Sequence, residues 1–217
     1  MANIRATSWL EWIAVVTAVA QVLLARANRV SNYAFGVVST AVYIFIFAKG
    51  QLYAEASLNG YYLVMSVYGL WHWRADWLRP AGTTAVAGTT TLTHEVPVTF
   101  SSAKDWAIAA SIAAGGFALG SFVLDRFTNS PVPLWDAGVS ALAWAGMWLL
   151  ARRKVENWLW LNASNALALP LLFSRGLVMT SILTGFLFVV AVAGYFAWRW
   201  MALRALANRP KRVAHRF

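Results

Sequence analysis

The chain has 217 residues, 60% of them hydrophobic and 12% charged, with a mean hydropathy of +0.57. Its apolar residues come in blocks of the roughly 17–25 residues that cross a bilayer, which excludes an ordinary soluble domain. The formal charge of +10 gathers at block ends and at the C-terminus, a signature of membrane topology rather than of a nucleic-acid surface, and the lack of cysteine excludes disulfides and thiolate metal sites.

Hydrophobic runs predict an all-α membrane protein with seven transmembrane helices. The first span covers about Ser8–Ala25, the second about Val30–Ala48 and the third about Leu52–Trp73. A Thr-rich linker from Arg74 to Lys104 precedes the fourth, about Trp106–Leu124. The last three cover about Leu134–Ala151, Val155–Phe173 and Leu177–Trp200, and a basic tail from Arg204 to Arg216 follows. The first span is long for a signal-peptide core and holds Glu11 and Gln21, so it is expected to stay in the membrane.

Basic residues orient these spans. Arg5, Lys49, Arg126 and Arg175 fall on one side, and the other fourteen of the 18 fall on the opposite side. Cytoplasmic loops are the Lys/Arg-rich ones, so the N-terminus is expected outside and the C-terminus in the cytoplasm.

The chain also resembles itself at an offset of 125 residues. Val30 meets Val155, Asn32 meets Asn157, Ser39 meets Ser164, and Glu11 meets Asp136. Gly60 and Gly69 meet Gly185 and Gly194, and Trp73-Arg74 meets Trp198-Arg199. Spans 1–3 thus match spans 5–7. Two three-span units become parallel only if an extra span separates them, and the unmatched fourth span fits that role. The expected organisation is a first three-helix repeat (1–74), a linker with transmembrane helix 4 (75–125), a second three-helix repeat (126–200) and a basic cytoplasmic tail (201–217). This 3+1+3 plan of two parallel repeats is that of the SWEET transporters, whose substrate site lies between the halves near the midplane. The four matched glycines, with Gly115, Gly116 and Gly120 on span 4, read as helix-packing positions.

The sixth span is the polar anomaly, because amides in hydrocarbon cost several kcal/mol (about 2–7) unless something satisfies them. Trp158, Asn162 and Asn165 share one face at i, i+4 and i+7, and Asn157, Trp160 and Ser164 lie beside it. In the first half the same face reads Tyr33, Val37 and Thr40, so the amides are loaded onto the second half. Asn offers both donor and acceptor without charge, and Trp offers a flat face for a ring, more so if that ring is cationic. Asn59, Tyr62 and Ser66 form a second polar-aromatic face on the third span, while Trp71 and Trp73 near its end read as interfacial belt residues. Gln21, Tyr43 and Trp144 are further lining candidates. Pro170 is expected to kink the sixth span. No ionisable group sits at depth, which favours uncoupled diffusion, and no phosphate loop or metal spacing appears, so neither enzyme nor cofactor is expected.

Glu156-Asn157-Trp158-Leu159-Trp160 with Asn162 and Asn165, and Asn59-Gly60-Tyr61-Tyr62 through Tyr68-Gly69-Leu70-Trp71, carry a resemblance. In these motifs and across all seven spans the sequence resembles the PnuC family of vitamin B3 transporters. The resemblance implies uptake of nicotinamide riboside by facilitated diffusion, a SWEET-like fold, a homotrimer and the bacterial inner (plasma) membrane. It also implies a functional link to a cytosolic riboside kinase that traps the substrate. A pyridinium ring suits tryptophan faces, and its amide and ribose hydroxyls suit Asn, Gln, Tyr and Ser. The chain departs from sugar carriers in having no Pro-Gln pair and only Pro170 well inside a span. Transport of another vitamin or nucleoside, such as a thiamine-like cation, a sugar facilitator, and a scaffold that uses the polar helix only for assembly remain alternatives.

Overall fold

The computed structural model describes residues 9–49, 53–77, 97–128, 131–174 and 178–207. Among the described residues there are seven α-helices: α1 (Trp9–Arg26), α2 (Ser31–Lys49), α3 (Tyr53–Trp77), α4 (Ala103–Phe127), α5 (Pro133–Ala151), α6 (Asn157–Ser174) and α7 (Val178–Ala207). All seven coincide with predicted spans. Two ends run longer than the apolar blocks: α3 continues to Trp77 and α7 to Ala207. Hydropathy marks where lipid ends, whereas a run such as Met201-Ala202-Leu203-Arg204-Ala205 is made of strong helix formers and continues beyond it. Most of the predicted linker and tail, residues 78–96 and 208–217, lies outside the described residues.

Five of the seven helices, α1, α2, α4, α5 and most of α7, are long and apolar enough to cross a membrane by length and composition alone. The two that fall short, α3 and α6, are those with the polar-aromatic faces. Part of that polarity meets neighbouring helices, Tyr61 at Trp144 O and Ser164 at Val139 O.

Packing follows chain order. Helix α2 lies between α1 and α3, and α6 between α5 and α7, while α4 packs on α5. The two triplets meet through α3 against α5 and α1 against α7. The core at this junction contains Tyr33, Met65, Trp73, Leu150, Trp158 and Trp198, all buried.

The 125-residue offset recurs in local geometry. Asn28 and Arg153 each have φ 54°, the left-handed region, just past the ends of α1 and α5. Around them, Arg29 N–H donates to Leu24 O at 2.9 Å and Lys154 N–H to Leu149 O at 3.0 Å. Asn28 N–H donates to Ala25 O and Arg153 N–H to Leu150 O, both at 2.9 Å. These are Schellman turns, which satisfy carbonyls left over at a helix C-terminus. The next helix then starts alike: Asn32 Nδ2 donates to Arg29 O and Asn157 Nδ2 to Lys154 O, each at 2.6 Å. Ser39 Oγ donates to Ala14 O at 3.0 Å and Ser164 Oγ to Val139 O at 2.7 Å, tying the second helix of each triplet to the first.

One feature has no counterpart in the first triplet. Residues 98–102 run along the α5–α6 turn, where Thr99 N–H donates to Arg153 O and Val155 N–H to Thr99 O. The Glu156 carboxylate accepts from Ser101 N at 2.8 Å and Ser101 Oγ at 2.6 Å. Lys154 Nζ lies 3.1 Å from Asp105 Oδ2. Ser102 and Asp105 form a capping box that starts α4. The positions equivalent to Lys154 and Glu156 are Arg29 and Ser31, so the first triplet lacks this carboxylate anchor.

Candidate functional site

Side chains from both triplets converge at the junction of α3, α5 and α6. A Cβ built on Gly36 of α2 would lie 2.8 Å from both Gln21 Nε2 and Ser66 Oγ. The absent side chain therefore makes a notch in which an amide from α1 and a hydroxyl from α3 come together. At the equivalent place in the second triplet, Leu161 of α6 fills a notch at Gly146 of α5. The large residue has changed helix, and the group facing the junction is apolar instead of polar.

Trp158 lies flat against Gly194 of α7, whose Cβ would meet its ring atoms at 2.7 Å, and stands edge-on to Trp198 at 5.7 Å. Tyr33, its counterpart, lies against Gly69 of α3 and edge-on to Trp73 at 5.0 Å. From α3, the Tyr61 ring centroid sits 5.0 Å from that of Trp144, and its hydroxyl donates to Trp144 O at 3.0 Å. Tyr62 touches Tyr61 edge-on at 6.1 Å and packs on the same core cluster as Trp158.

Four buried polar atoms, Ser66 Oγ, Trp144 Nε1, Trp158 Nε1 and Asn162 Oδ1, find no protein partner among the described residues, as is also true of Asn32 Oδ1, Asn157 Oδ1 and Trp160 Nε1. Such atoms cost about 1–3 kcal/mol each when nothing satisfies them, so a polar ligand or water would relieve them. The first four supply two ring N–H donors, a hydroxyl and an amide oxygen, and none is ionisable. The same set presents indole and phenol faces.

The other predicted residues divide by their neighbours. Asn157 is fully buried, and its amide nitrogen is held by the turn before α6, as Asn32 is before α2. Ser164 is bound to Val139 O. Trp160 turns away from the junction towards α4, 6.0 Å from Trp106. Tyr43 stacks on Phe47 at 5.6 Å along α2. Asn59 and Asn165 are half-buried on α3 and α6. Thr40, opposite Asn165 in the repeat, donates back to Gly36 O at 2.8 Å. Thus Ser39 and Ser164 and the amide nitrogens of Asn32 and Asn157 have structural partners in both triplets, while the buried amide oxygens of Asn32, Asn157 and Asn162 have none among the described residues.

Three sequence readings need correction. Trp73 is not a belt residue: it is 0% exposed and its Nε1 donates to Ala151 O at 2.9 Å, whereas Trp71 is 68% exposed. Gly60 is not a packing glycine, since a Cβ there would meet nothing within 4 Å, and the same holds for Gly115. Gly116 does pack, against Trp144. The reason is shared: a residue's spacing along one helix does not say which neighbour stands on that face. Gly36 is a residue that sequence reasoning missed. Its signal was the repeat itself, which pairs Gly36 with Leu161. Pro170 lies within α6, one turn from its end, and Trp135 Nε1 donates to Leu167 O at 2.8 Å beside it.

A bundle of long apolar helices that buries uncharged polar and aromatic side chains is the architecture of a membrane protein, and the class is that of membrane transporters. The model of the nicotinamide mononucleotide transporter family matches residues 8–200, and the chain belongs to that family. It is similar to the nicotinamide riboside transporter PnuC of Escherichia coli (strain K12), 24% identical over 207 residues that cover 88% of this chain and 85% of that one. The PnuC of Neisseria mucosa is 25% identical over 205 residues, covering 91% and 74%. The crystal structure of the vitamin B3 transporter PnuC superposes with a TM-score of 0.70 at 22% identity over 93% of this chain and 85% of that one, a likeness of fold. The family is one of transporters and not of enzymes. Among the described residues there is no group of three or more His, Asp or Glu that could hold a metal.

Proposed function

We propose that this protein carries nicotinamide riboside across the membrane. The observation that carries the reading is the set of buried, partnerless and uncharged polar atoms on Ser66, Trp144, Trp158 and Asn162. A family described by the mononucleotide and relatives named for the riboside leave two substrates to weigh. They differ by a phosphate, which is bound by Arg, Lys or a helix N-terminus. None of the four atoms belongs to an Arg or Lys, and they suit the carboxamide, the ribose hydroxyls and the cationic ring of the riboside. A cation–π contact with an indole contributes about 0.5–2 kcal/mol.

The mechanism we propose is alternating access by facilitated diffusion. Helices α1–α3 and α5–α7 act as two parallel three-helix units, with α4 as the SWEET-like linker that makes them parallel. The repeated turns at Asn28 and Arg153 and the repeated Trp and Tyr contacts support this arrangement. Gln21, Asn59, Tyr62 and Asn165 complete the lining around the four partnerless atoms, and Asn157, Trp160 and Ser164 shape α6 behind it. The N-terminus is placed outside and the basic end in the cytoplasm, where a riboside kinase would trap the substrate. The working assembly is a homotrimer in the bacterial inner membrane, testable by the mass of the purified protein.

Titration calorimetry on purified protein is expected to give saturable binding of nicotinamide riboside, binding of the mononucleotide at least tenfold weaker, and none of glucose. Binding of a plain sugar without the riboside would overturn the assignment, and tighter binding of the mononucleotide or of thiamine would replace the substrate. Liposome uptake is expected to proceed without a proton or sodium gradient.

A further inference from the structure

The ends of α1 and α5 are closed by residues of the opposite triplet. Schellman turns leave some C-terminal carbonyls open to a further donor. At the end of α1, Trp198 of α7 donates its Nε1–H to Ala25 O and Arg26 O, both at 3.1 Å. At the end of α5, Trp73 of α3 donates to Ala151 O at 2.9 Å, and Tyr33 of α2 donates its hydroxyl to Leu150 O at 3.3 Å. Each of these bonds crosses between triplets. The exchange is reciprocal, since Trp73 and Trp198 are 125 residues apart. Their rings are tilted at 42° with centroids 6.3 Å apart, and both residues are 0% exposed. Ser66 lies seven residues before Trp73 on α3, about 10 Å deeper along the axis.

Resting on the transport reading above, we infer that Trp73 and Trp198 are the gate of this protein at its basic end. Ser66 lies beneath the indole pair, and Trp158, in the first turn of α6, stands edge-on to Trp198 at 5.7 Å. Opening a path from this end requires α3 to leave α5 and α7 to leave α1. Those are the two seams that the indole N–H groups bridge. The bonds suit a reversible gate, because a helix-end carbonyl released from an indole is satisfied at once by water. The two seams are unequal. The Arg153 guanidinium carbon lies 3.8 Å over the Trp73 ring, adding a cation–π contact on the α3–α5 seam. The equivalent residue under Trp198 is the short Asn28, and the neighbouring strap of residues 98–102 holds only the α5–α6 turn. The α1–α7 seam therefore opens first.

The chain has no cysteine, so Ser66→Cys supplies a single reporter. A membrane-impermeant maleimide is applied to that variant separately from each face of the membrane, in inside-out and right-side-out vesicles. Adding Trp198→Phe, which keeps a ring but removes the donor, is expected to raise labelling from the basic face about fivefold. That is the factor corresponding to one lost neutral hydrogen bond. Trp73→Phe, still covered by Arg153, is expected to raise it less. Labelling from the other face stays level or falls. Arg153→Asn copies the first triplet at a left-handed position that Asn tolerates, and guards against misfolding. It should raise labelling from the same face while leaving the melting temperature near that of the parent. Labelling at the parent's rate in all three variants, or a rise from both faces alike, would overturn the gate and leave the tryptophans as scaffold. The readout uses no substrate. If the variants shift labelling while the riboside fails to bind, the gate stands and the substrate assignment falls.

Discussion

Asn162→Leu is expected to weaken riboside binding about tenfold to a hundredfold while leaving the protein as stable as before or more so. The buried Asn162 Oδ1 has no protein partner among the described residues, so replacing the amide with an apolar group of similar size removes a desolvated acceptor. Leaving such an atom unsatisfied costs about 1–3 kcal/mol, and the substitution recovers part of that. The same acceptor, bonded to a substrate, would contribute a comparable amount to affinity, so its loss weakens binding about tenfold to a hundredfold. Calorimetry on wild type and variant measures the first effect, a thermal melt the second, and size-exclusion chromatography the assembly. The combination separates transport from scaffolding. If the polar face of α6 served only to join helices or subunits, the variant would melt lower and dissociate. Asn157→Leu provides the contrast. Its Nδ2 holds Lys154 O at 2.6 Å at the start of α6, so that substitution is expected to lower stability.

Gly194→Leu is expected to lose at least nine-tenths of uptake, with Gly185→Leu close to wild type. Both glycines lie on α7 and both repeat a glycine of α3. At Gly194 any Cβ meets the Trp158 indole at 2.7 Å, and that ring is 2% exposed and wedged against Trp198. Nothing there is the loose end of a flexible side chain. The indole must move, and with it the face proposed to meet the pyridinium ring. Overpacking of this kind costs about 1–3 kcal/mol in stability in addition to the functional loss. At Gly185 the nearest atom is Leu169 Cδ2 at 4.0 Å, and at Gly60 nothing stands within 4 Å. Substitutions at these two positions are expected to be tolerated, as vesicle uptake normalised to protein amount would measure. Equal losses at Gly185 and Gly194 would mean that Trp158 is not the sensitive element.

The two variants probe opposite halves of one design. The triplets share their turns, their first helical turns and their serine ties, and all of these concern how helices stand together. They differ where the site lies: Gln21 over Gly36 against Leu161 over Gly146, Tyr33 against Trp158, and Val37 against Asn162. In the proposed reading a pseudosymmetric frame surrounds an asymmetric lining, which suits an asymmetric substrate.

Much of this was legible before any coordinates. Seven apolar runs became seven helices with ends moved by a few residues, because a bilayer sets the length of each run. The offset of 125 predicted which positions would behave alike, and paired positions such as Asn28 and Arg153 do so down to the same φ of 54°. The amide-rich sixth helix was visible as an anomaly because polarity in hydrocarbon is expensive wherever it occurs. The tertiary structure alone decided what each polar or aromatic group does. Asn157 and Asn162 are alike in the sequence and each keeps a buried free oxygen, yet Asn157 also holds a turn through its amide nitrogen. Trp71 and Trp73 are two residues apart, yet one faces outward and the other closes the end of a helix from the opposite triplet. Helical periodicity fixes the angle between side chains on one rod, but the roles of those side chains depend on which rods stand beside it. That information belongs to the packing of seven helices together and to none of them singly.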